Sequence, residues 1–128
     1  MNQTIAKLFG VVFILIGVIG LFSGSMNMTT GLELGLFPVN VLHNAVHILV
    51  GVWGLAAART PAGATAFCKQ AGVLYLLLAI IGFIPSLTLQ LESLVPLGGN
   101  DAYLHLVLAL ILLYFGFMGR SREAAAMA

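Results

Sequence analysis

Three histidines and one aspartate are the residues of this chain whose types and spacing could bind a ligand. His43 and His47 lie in the sequence LHNAVH, and Asp101 and His105 lie in NDAYLH, so the members of each pair are four positions apart. Residues with this spacing share one face of a helix and are separated by about 6 Å along its axis. If the two faces meet, three imidazoles and a carboxylate form a donor set suited to zinc, iron or another divalent metal.

Two other interpretations of these residues are open. His47 and His105 could approach a haem or another planar pigment from its two sides, as axial histidines do. Alternatively, the cluster is structural, because histidines in membrane helices often hydrogen-bond to a neighbouring helix, for about 0.6 to 2 kcal/mol per bond. Asparagines lie beside both pairs, and two of them stand where helices are expected to begin, as N-caps do: Asn40, Asn44 and Asn100. The HxxxH spacing is a weak motif, and the structural interpretation is the favoured one.

The elements that position these side chains are predicted to be membrane helices. Hydrophobic residues make up 61% of the 128 residues and charged residues only 7%, which excludes a soluble domain. Four segments are long and apolar enough to be spans, at about 5–22, 39–58, 71–84 and 102–118. Because each span must satisfy its own backbone hydrogen bonds, the sequence predicts a single all-α domain over residues 1–128, an integral membrane four-helix bundle.

The charged residues predict how the bundle is oriented. All five positive charges fall on one side of it: Lys7, Arg59, Lys69, Arg120 and Arg122. The positive-inside rule makes that side cytoplasmic, so both termini are predicted to be cytoplasmic and both polar pairs lie near the outer face. The net charge of +1 is too small and too dispersed for a nucleic-acid surface, so the expected surroundings are the lipid bilayer.

An internal repeat relates the two polar pairs. Residues 7–20 match residues 69–82 at an offset of 62, and the second predicted helix of each half matches at an offset of 58. Such a repeat predicts two parallel helix pairs around a pseudo-twofold axis along the membrane normal. The four side chains are then expected to converge in the outer part of the bundle. The equivalent positions are His43 with Asp101 and His47 with His105.

Glycines and apolar loops indicate where the helices and their surroundings make contact. Five glycines are predicted to let helices approach closely, within the bundle rather than between copies: Gly17, Gly20, Gly24, Gly51 and Gly54. The outer loops, 23–38 and 86–99, are apolar for segments in water. They are expected either to lie over the bundle mouth in the headgroup region or to dock against another membrane protein.

Two segments resemble a known family. GLFPVNVLHNAVHILVGVWGLAA (35–57) and LVPLGGNDAYLHLVLALILLYFGF (94–117) are similar to the signature segments of the small bacterial membrane proteins grouped as domain of unknown function 4383. The family usually has tryptophan where this chain has Tyr103, and both are interfacial aromatics. The resemblance implies a four-span bundle of unassigned activity in a bacterial plasma membrane or thylakoid. The family pattern is carried here by His43, Asn44, His47, Asn100, Asp101 and His105.

The sequence contains no enzyme motif, since it lacks a nucleophile elbow, a phosphate loop and a CxxC pair. The expected function is therefore non-enzymatic. We expect an accessory or interaction subunit without a cofactor, whose polar cluster fixes helix register within a larger membrane complex or a self-association. A metal- or haem-binding protein is the first alternative. A small transporter or proton-handling protein is the second, and it is disfavoured because the polar residues occupy only the outer half.

Overall fold

The computed structural model describes the backbone of residues 1–127 and the side chains of residues 1–119. The elements, in chain order, are α1 (Asn2–Ser23), β1 (Gly31–Glu33), β2 (Phe37–Val39), α2 (Val41–Ala57), α3 (Pro61–Gly82), α4 (Pro85–Leu91) and α5 (Asn100–Met127). Strands β1 and β2 form an antiparallel hairpin in which Leu32 pairs with Pro38. Arg120 and Arg122, two of the five positively charged residues, lie beyond the residues whose side chains the structure describes.

Three helices are long and apolar enough to cross a membrane, which indicates a membrane protein. They are α1, α3 and the part of α5 from Asn100 to Gly119. Helix α2 is also apolar, but it has 17 residues, or about 26 Å at the usual rise per residue. The chain is thus mainly helical, as the sequence predicts.

The helix boundaries differ from the prediction where capping, rather than hydrophobicity, decides them. Helix α3 begins at Pro61, ten residues before the predicted start at 71. The Thr60 side chain accepts a hydrogen bond from the Gly63 N–H at 3.0 Å, and proline is favoured in the first turn because its missing N–H is not needed there. The short helix α4 and the hairpin were not predicted, since both are too short for a periodic pattern.

The helices pack mainly as two pairs, α1 with α2 and α3 with α5. Close backbone approach marks both crossings. A Cβ atom added at Gly10 would lie 2.8 Å from Leu55, and one added at Gly72 would lie 2.8 Å from Leu113. The five glycines predicted for packing all lie within contact of another element: Gly17, Gly20, Gly24, Gly51 and Gly54. A side chain at four of these positions would push α1 and α2 or their neighbours apart, whereas Gly24, which was predicted for helix packing, instead meets Val39 and Glu33 of the hairpin.

Aromatic side chains join the two pairs across the core. The rings of Phe13 on α1 and Tyr75 on α3 are stacked with centroids 5.2 Å apart, and Trp53 meets Phe67 edge to face at 4.9 Å. Phe13, Phe67 and Tyr75 are fully buried, and Trp53 is partly buried. The opposite faces of the helices expose leucines such as Leu49. An apolar exterior around a packed core is what a helical protein in lipid requires.

Candidate functional site

The three histidines lie together inside the protein. His43 and His47 occupy successive turns of α2, and His105 faces them from α5. One ring nitrogen from each can be chosen so that the three atoms are within 4.8 Å of one another. The three side chains are at most 4% exposed. The i, i+4 spacing on α2 and the packing of α5 against the neighbouring helices therefore produce one compact imidazole cluster.

Asp101 joins this cluster through His43. It lies in the first turn of α5, one turn before His105, and is 1% exposed. Its Oδ2 is 3.6 Å from Nδ1 of His43, which is beyond hydrogen-bond distance. All four residues that the sequence singled out for ligand binding are thus neighbours.

Five polar atoms on these four side chains are buried without a hydrogen-bond partner. They are Nδ1 of His43, Nδ1 of His47, Oδ2 of Asp101 and both ring nitrogens of His105. Leaving a buried donor or acceptor unpaired costs about 1 to 3 kcal/mol, and native proteins contain few such groups. Within the described side chains, these four residues hold most of the buried unpaired polar atoms.

The His43 ring has one further polar contact, with the backbone of Pro96. Because proline offers only a carbonyl oxygen, the ring donates an N–H to it. Nδ1, which has no partner, then keeps its lone pair and points towards Asp101. The loop before α5 therefore helps to set the orientation of a ring on α2.

The asparagines beside the cluster are hydrogen-bonded through their side-chain amides, unlike most of the imidazole nitrogens. Oδ1 of Asn40 accepts from the His43 backbone N–H at 2.9 Å, and Nδ2 of Asn40 donates to the Leu94 carbonyl at 2.9 Å. Nδ2 of Asn100 donates to the Leu36 carbonyl at 3.0 Å. The asparagine that begins α2 thus holds the loop before α5, and the asparagine that begins α5 holds the loop before α2.

Asn44 has a similar role one turn into α2. Its Nδ2 donates to the Ser25 carbonyl at 3.0 Å, so it fixes the segment that follows α1. The polar residues around the cluster therefore divide into two groups. The three amides tie helices to loops through their Nδ2 groups, although Oδ1 of Asn44 has no partner. Each imidazole and the Asp101 carboxylate keeps at least one buried polar atom without a partner.

We expect Asn40→Ala to lower the free energy of unfolding by about 2 kcal/mol, because it removes an N-cap and a bond to the Leu94 carbonyl. Asn40→Ser keeps a capping oxygen but is too short to reach Leu94, so it should recover about half of the loss. Thermal unfolding of the purified variants measures both. Equal losses for the two variants would contradict a capping role.

An apolar cavity of about 250 Å³ adjoins the cluster. All three histidines line it, together with Tyr75 and aliphatic side chains of α2, α3 and the loop before α5. No pattern in the sequence predicts this cavity. Tyr75 lies 5.3 Å from the His105 ring, and Phe13 is stacked 5.9 Å from the His47 ring. Phe13 and Tyr75 are equivalent at the offset of 62, which is the signal that could have placed both beside the site.

Glu33 is a second buried carboxyl, in strand β1 of the hairpin. It is 4% exposed, and burial raises the pKa of its side chain above the ordinary value. The raised pKa means that the structure favours the protonated form of this side chain. The burial of Glu33 has no signal in the sequence, because so short a strand carries no periodic pattern of its own.

Comparison with protein families identifies one family whose model covers the site. The family model described as Domain of unknown function (DUF4383) matches residues 3–118, a range that includes the four cluster residues and both helix pairs. Comparison with curated proteins and with solved structures gave no match. The family description assigns no activity, so the chemistry of the site is the main guide to function.

Proposed function

Because this chain belongs to the family described as Domain of unknown function (DUF4383), its function has to be inferred from its site, and we propose that it binds one divalent transition-metal ion inside a membrane helix bundle. The observation that carries the proposal is the group of buried polar atoms without partners on His43, His47, Asp101 and His105. A metal ion would be the shared partner of one ring nitrogen from each histidine and of the Asp101 carboxylate oxygen. It would offset a cost that packing alone leaves uncompensated.

The donor set fits such an ion. Neutral imidazole suits zinc, copper, iron and nickel, and a carboxylate oxygen can complete or orient the set. Ligand atoms of a tetrahedral zinc site with 2.0 to 2.1 Å bonds are about 3.3 Å apart. The distance between Asp101 Oδ2 and His43 Nδ1, at 3.6 Å, is already close to this value. One nitrogen atom from each of the three imidazoles lies within 4.8 Å of the others. Side-chain rotations would therefore have to shorten the nitrogen–nitrogen distances by up to about 1.5 Å.

Haem or pigment binding has less support than a single ion. A planar macrocycle held by His47 and His105 would need a slot between the two rings, but Phe13 and Tyr75 already pack beside them. The adjoining cavity, at about 250 Å³, is also smaller than the range of roughly 300 to 1,000 Å³ that ligand sites usually occupy. These contacts favour a small ligand at the imidazoles.

The proposal includes a four-span bundle built from two equivalent helix pairs. Its support is that contacts recur at the repeat offsets: Gly10 meets Leu55 as Gly72 meets Leu113, and Phe13 meets His47 as Tyr75 meets His105. With Lys7, Arg59 and Lys69 at the end opposite Asp101, both termini would be cytoplasmic and the metal site would lie in the outer half.

An accessory subunit is the second candidate function, and one observation favours it. The hairpin near the outer end exposes Leu32, Leu34 and Leu36 at 55% or more, outside the long helices. Exposed apolar patches of this kind often mark contacts with other proteins. Extraction from native membranes in a mild detergent tests this role. A stable partner or a self-associated particle is expected, and a small homogeneous monomer would contradict it.

Metal titration of the purified protein tests the main proposal. The protein, stripped with a chelator and incubated with Zn²⁺ or Co²⁺, should retain close to one ion per chain after gel filtration, by elemental analysis. Bound Co²⁺ should give the visible absorption typical of a low-symmetry nitrogen and oxygen site. Metal at 100 times its Kd should stabilise the fold by about 2.7 kcal/mol. Substoichiometric metal that leaves the unfolding temperature unchanged would refute metal binding.

A further inference from the structure

We propose that the cluster and its cavity together form a site for a long-chain carboxylic acid, whose carboxylate binds at the imidazole-held metal and whose hydrocarbon chain occupies the cavity. This inference rests on the proposed metal site and adds its ligand. It comes from the juxtaposition of two features that are otherwise unrelated. One is a cluster of unpaired, buried nitrogen atoms, and the other is an almost wholly aliphatic cavity that the same imidazoles line.

The cavity has the volume and lining of a hydrocarbon-chain site. Its volume of about 250 Å³ is below that of typical drug-sized ligand sites, roughly 300 to 1,000 Å³, so it suits one slender chain better than a fused ring system. Apart from the histidines and Tyr75, the walls are aliphatic and include Leu74, Leu78, Ile81 and Leu94. Such walls offer no hydrogen-bond partner, so the occupant has to be hydrocarbon where it touches them.

The cavity extends to side chains that are exposed on the surface of the protein. Three of its lining residues are themselves substantially exposed: Val46 at 37%, Leu74 at 38% and Leu94 at 53%. In a membrane, apolar side chains exposed on helix faces contact lipid chains rather than water. A hydrophobic ligand can therefore enter sideways from the bilayer without passing through the loops at the outer end.

The polar end of the ligand is constrained by charge. Neutral imidazoles around a divalent ion leave two positive charges in apolar surroundings, and Asp101 beside His43 neutralises one of them. A second negative charge, carried by an oxygen donor, would neutralise the other. A buried site without net charge is strongly favoured over one that keeps a positive charge. A metal held by the three histidines and Asp101 can also expand from four ligands to five, which gives an exogenous oxygen a position on it. A carboxylate meets both requirements, whereas an alcohol meets only the second.

Cobalt-loaded protein in phosphatidylcholine nanodiscs tests this proposal. Dodecanoate should shift the visible cobalt spectrum in a saturable manner, and dodecanol, which partitions into the same bilayer, should not. Leu78→Trp, which fills the cavity, should weaken the dodecanoate response at least tenfold without changing the cobalt content. The matched control is Leu77→Trp, one position away on α3 and 54% exposed, which should respond like the parent protein.

The outcomes separate this inference from the metal site itself. Failure to retain cobalt would remove both proposals. Full cobalt content with no dodecanoate shift, or with equal shifts in Leu78→Trp and Leu77→Trp, would overturn the ligand assignment and leave the metal site in place. A shift with dodecanol as large as that with dodecanoate would overturn the carboxylate.

Discussion

Replacing His105 with leucine is expected to abolish metal binding and to leave the metal-free protein at least as stable as the parent. His105 is 1% exposed, and neither of its ring nitrogens has a hydrogen-bond partner. Leucine has a similar volume and no polar atoms, so in the absence of metal it removes an uncompensated cost of about 1 to 3 kcal/mol. Because even indirect partners of a metal change affinity by 10- to 100-fold, loss of a direct ligand should lower it more than about 100-fold.

The same variant distinguishes a metal site from a structural polar cluster. If the imidazole fixed helix register through its own bonds, leucine would destabilise the metal-free protein. Thermal unfolding with and without Zn²⁺, together with elemental analysis, measures both effects. Tyr103→Leu on the same helix is the control, since Tyr103 is 65% exposed and should change neither stability nor metal content. A destabilised His105→Leu protein that still retains one metal ion per chain would reverse our interpretation.

Replacing Gly20 with alanine is expected to destabilise the fold by about 1 to 3 kcal/mol, the usual cost of overpacking a close contact. A Cβ atom at this position would overlap the amide oxygen of Asn44, which cannot move freely because its Nδ2 donates to the Ser25 carbonyl. The added methyl therefore either separates α1 from α2 or breaks that bond. The second outcome alone costs about 1 kcal/mol.

Gly98→Ala is the matched control for the glycine prediction. The nearest atom to an added Cβ there is 3.6 Å away, an ordinary contact, so the change should stay within about 0.5 kcal/mol. Unfolding of both variants in the same detergent gives the comparison. Similar unfolding temperatures for Gly20→Ala and Gly98→Ala would contradict the close approach of α1 and α2.

The sequence contained strong information on the long helices and on the four ligand candidates. An apolar run can lower its free energy in lipid only as a helix, and polar residues four positions apart must share a helix face. The sequence alone therefore pairs His43 with His47 and Asp101 with His105. The offset of 58 then suggested that the two pairs meet.

Other features depend on single local contacts that leave no periodic signal. Helix α3 starts at Pro61 because Thr60 caps it, although the first turns of that helix are not strongly hydrophobic. The burial of Glu33 depends on a three-residue strand, and the cavity depends on how side chains from distant segments fail to fill one space. Volume left empty is a property of the packed structure, and no residue pattern encodes it directly.

The paired asparagine bonds beside the hairpin make the two helix pairs mutually dependent. Asn40 binds the carbonyl of Leu94, and Asn100 binds the carbonyl of Leu36. Lifting either loop alone leaves unpaired groups in both helix pairs, so this end of the protein is expected to open as one concerted event. Exchange of a ligand with water at this end would then be slow and controlled by both loops together. Exchange with the bilayer through the cavity requires neither of them to move.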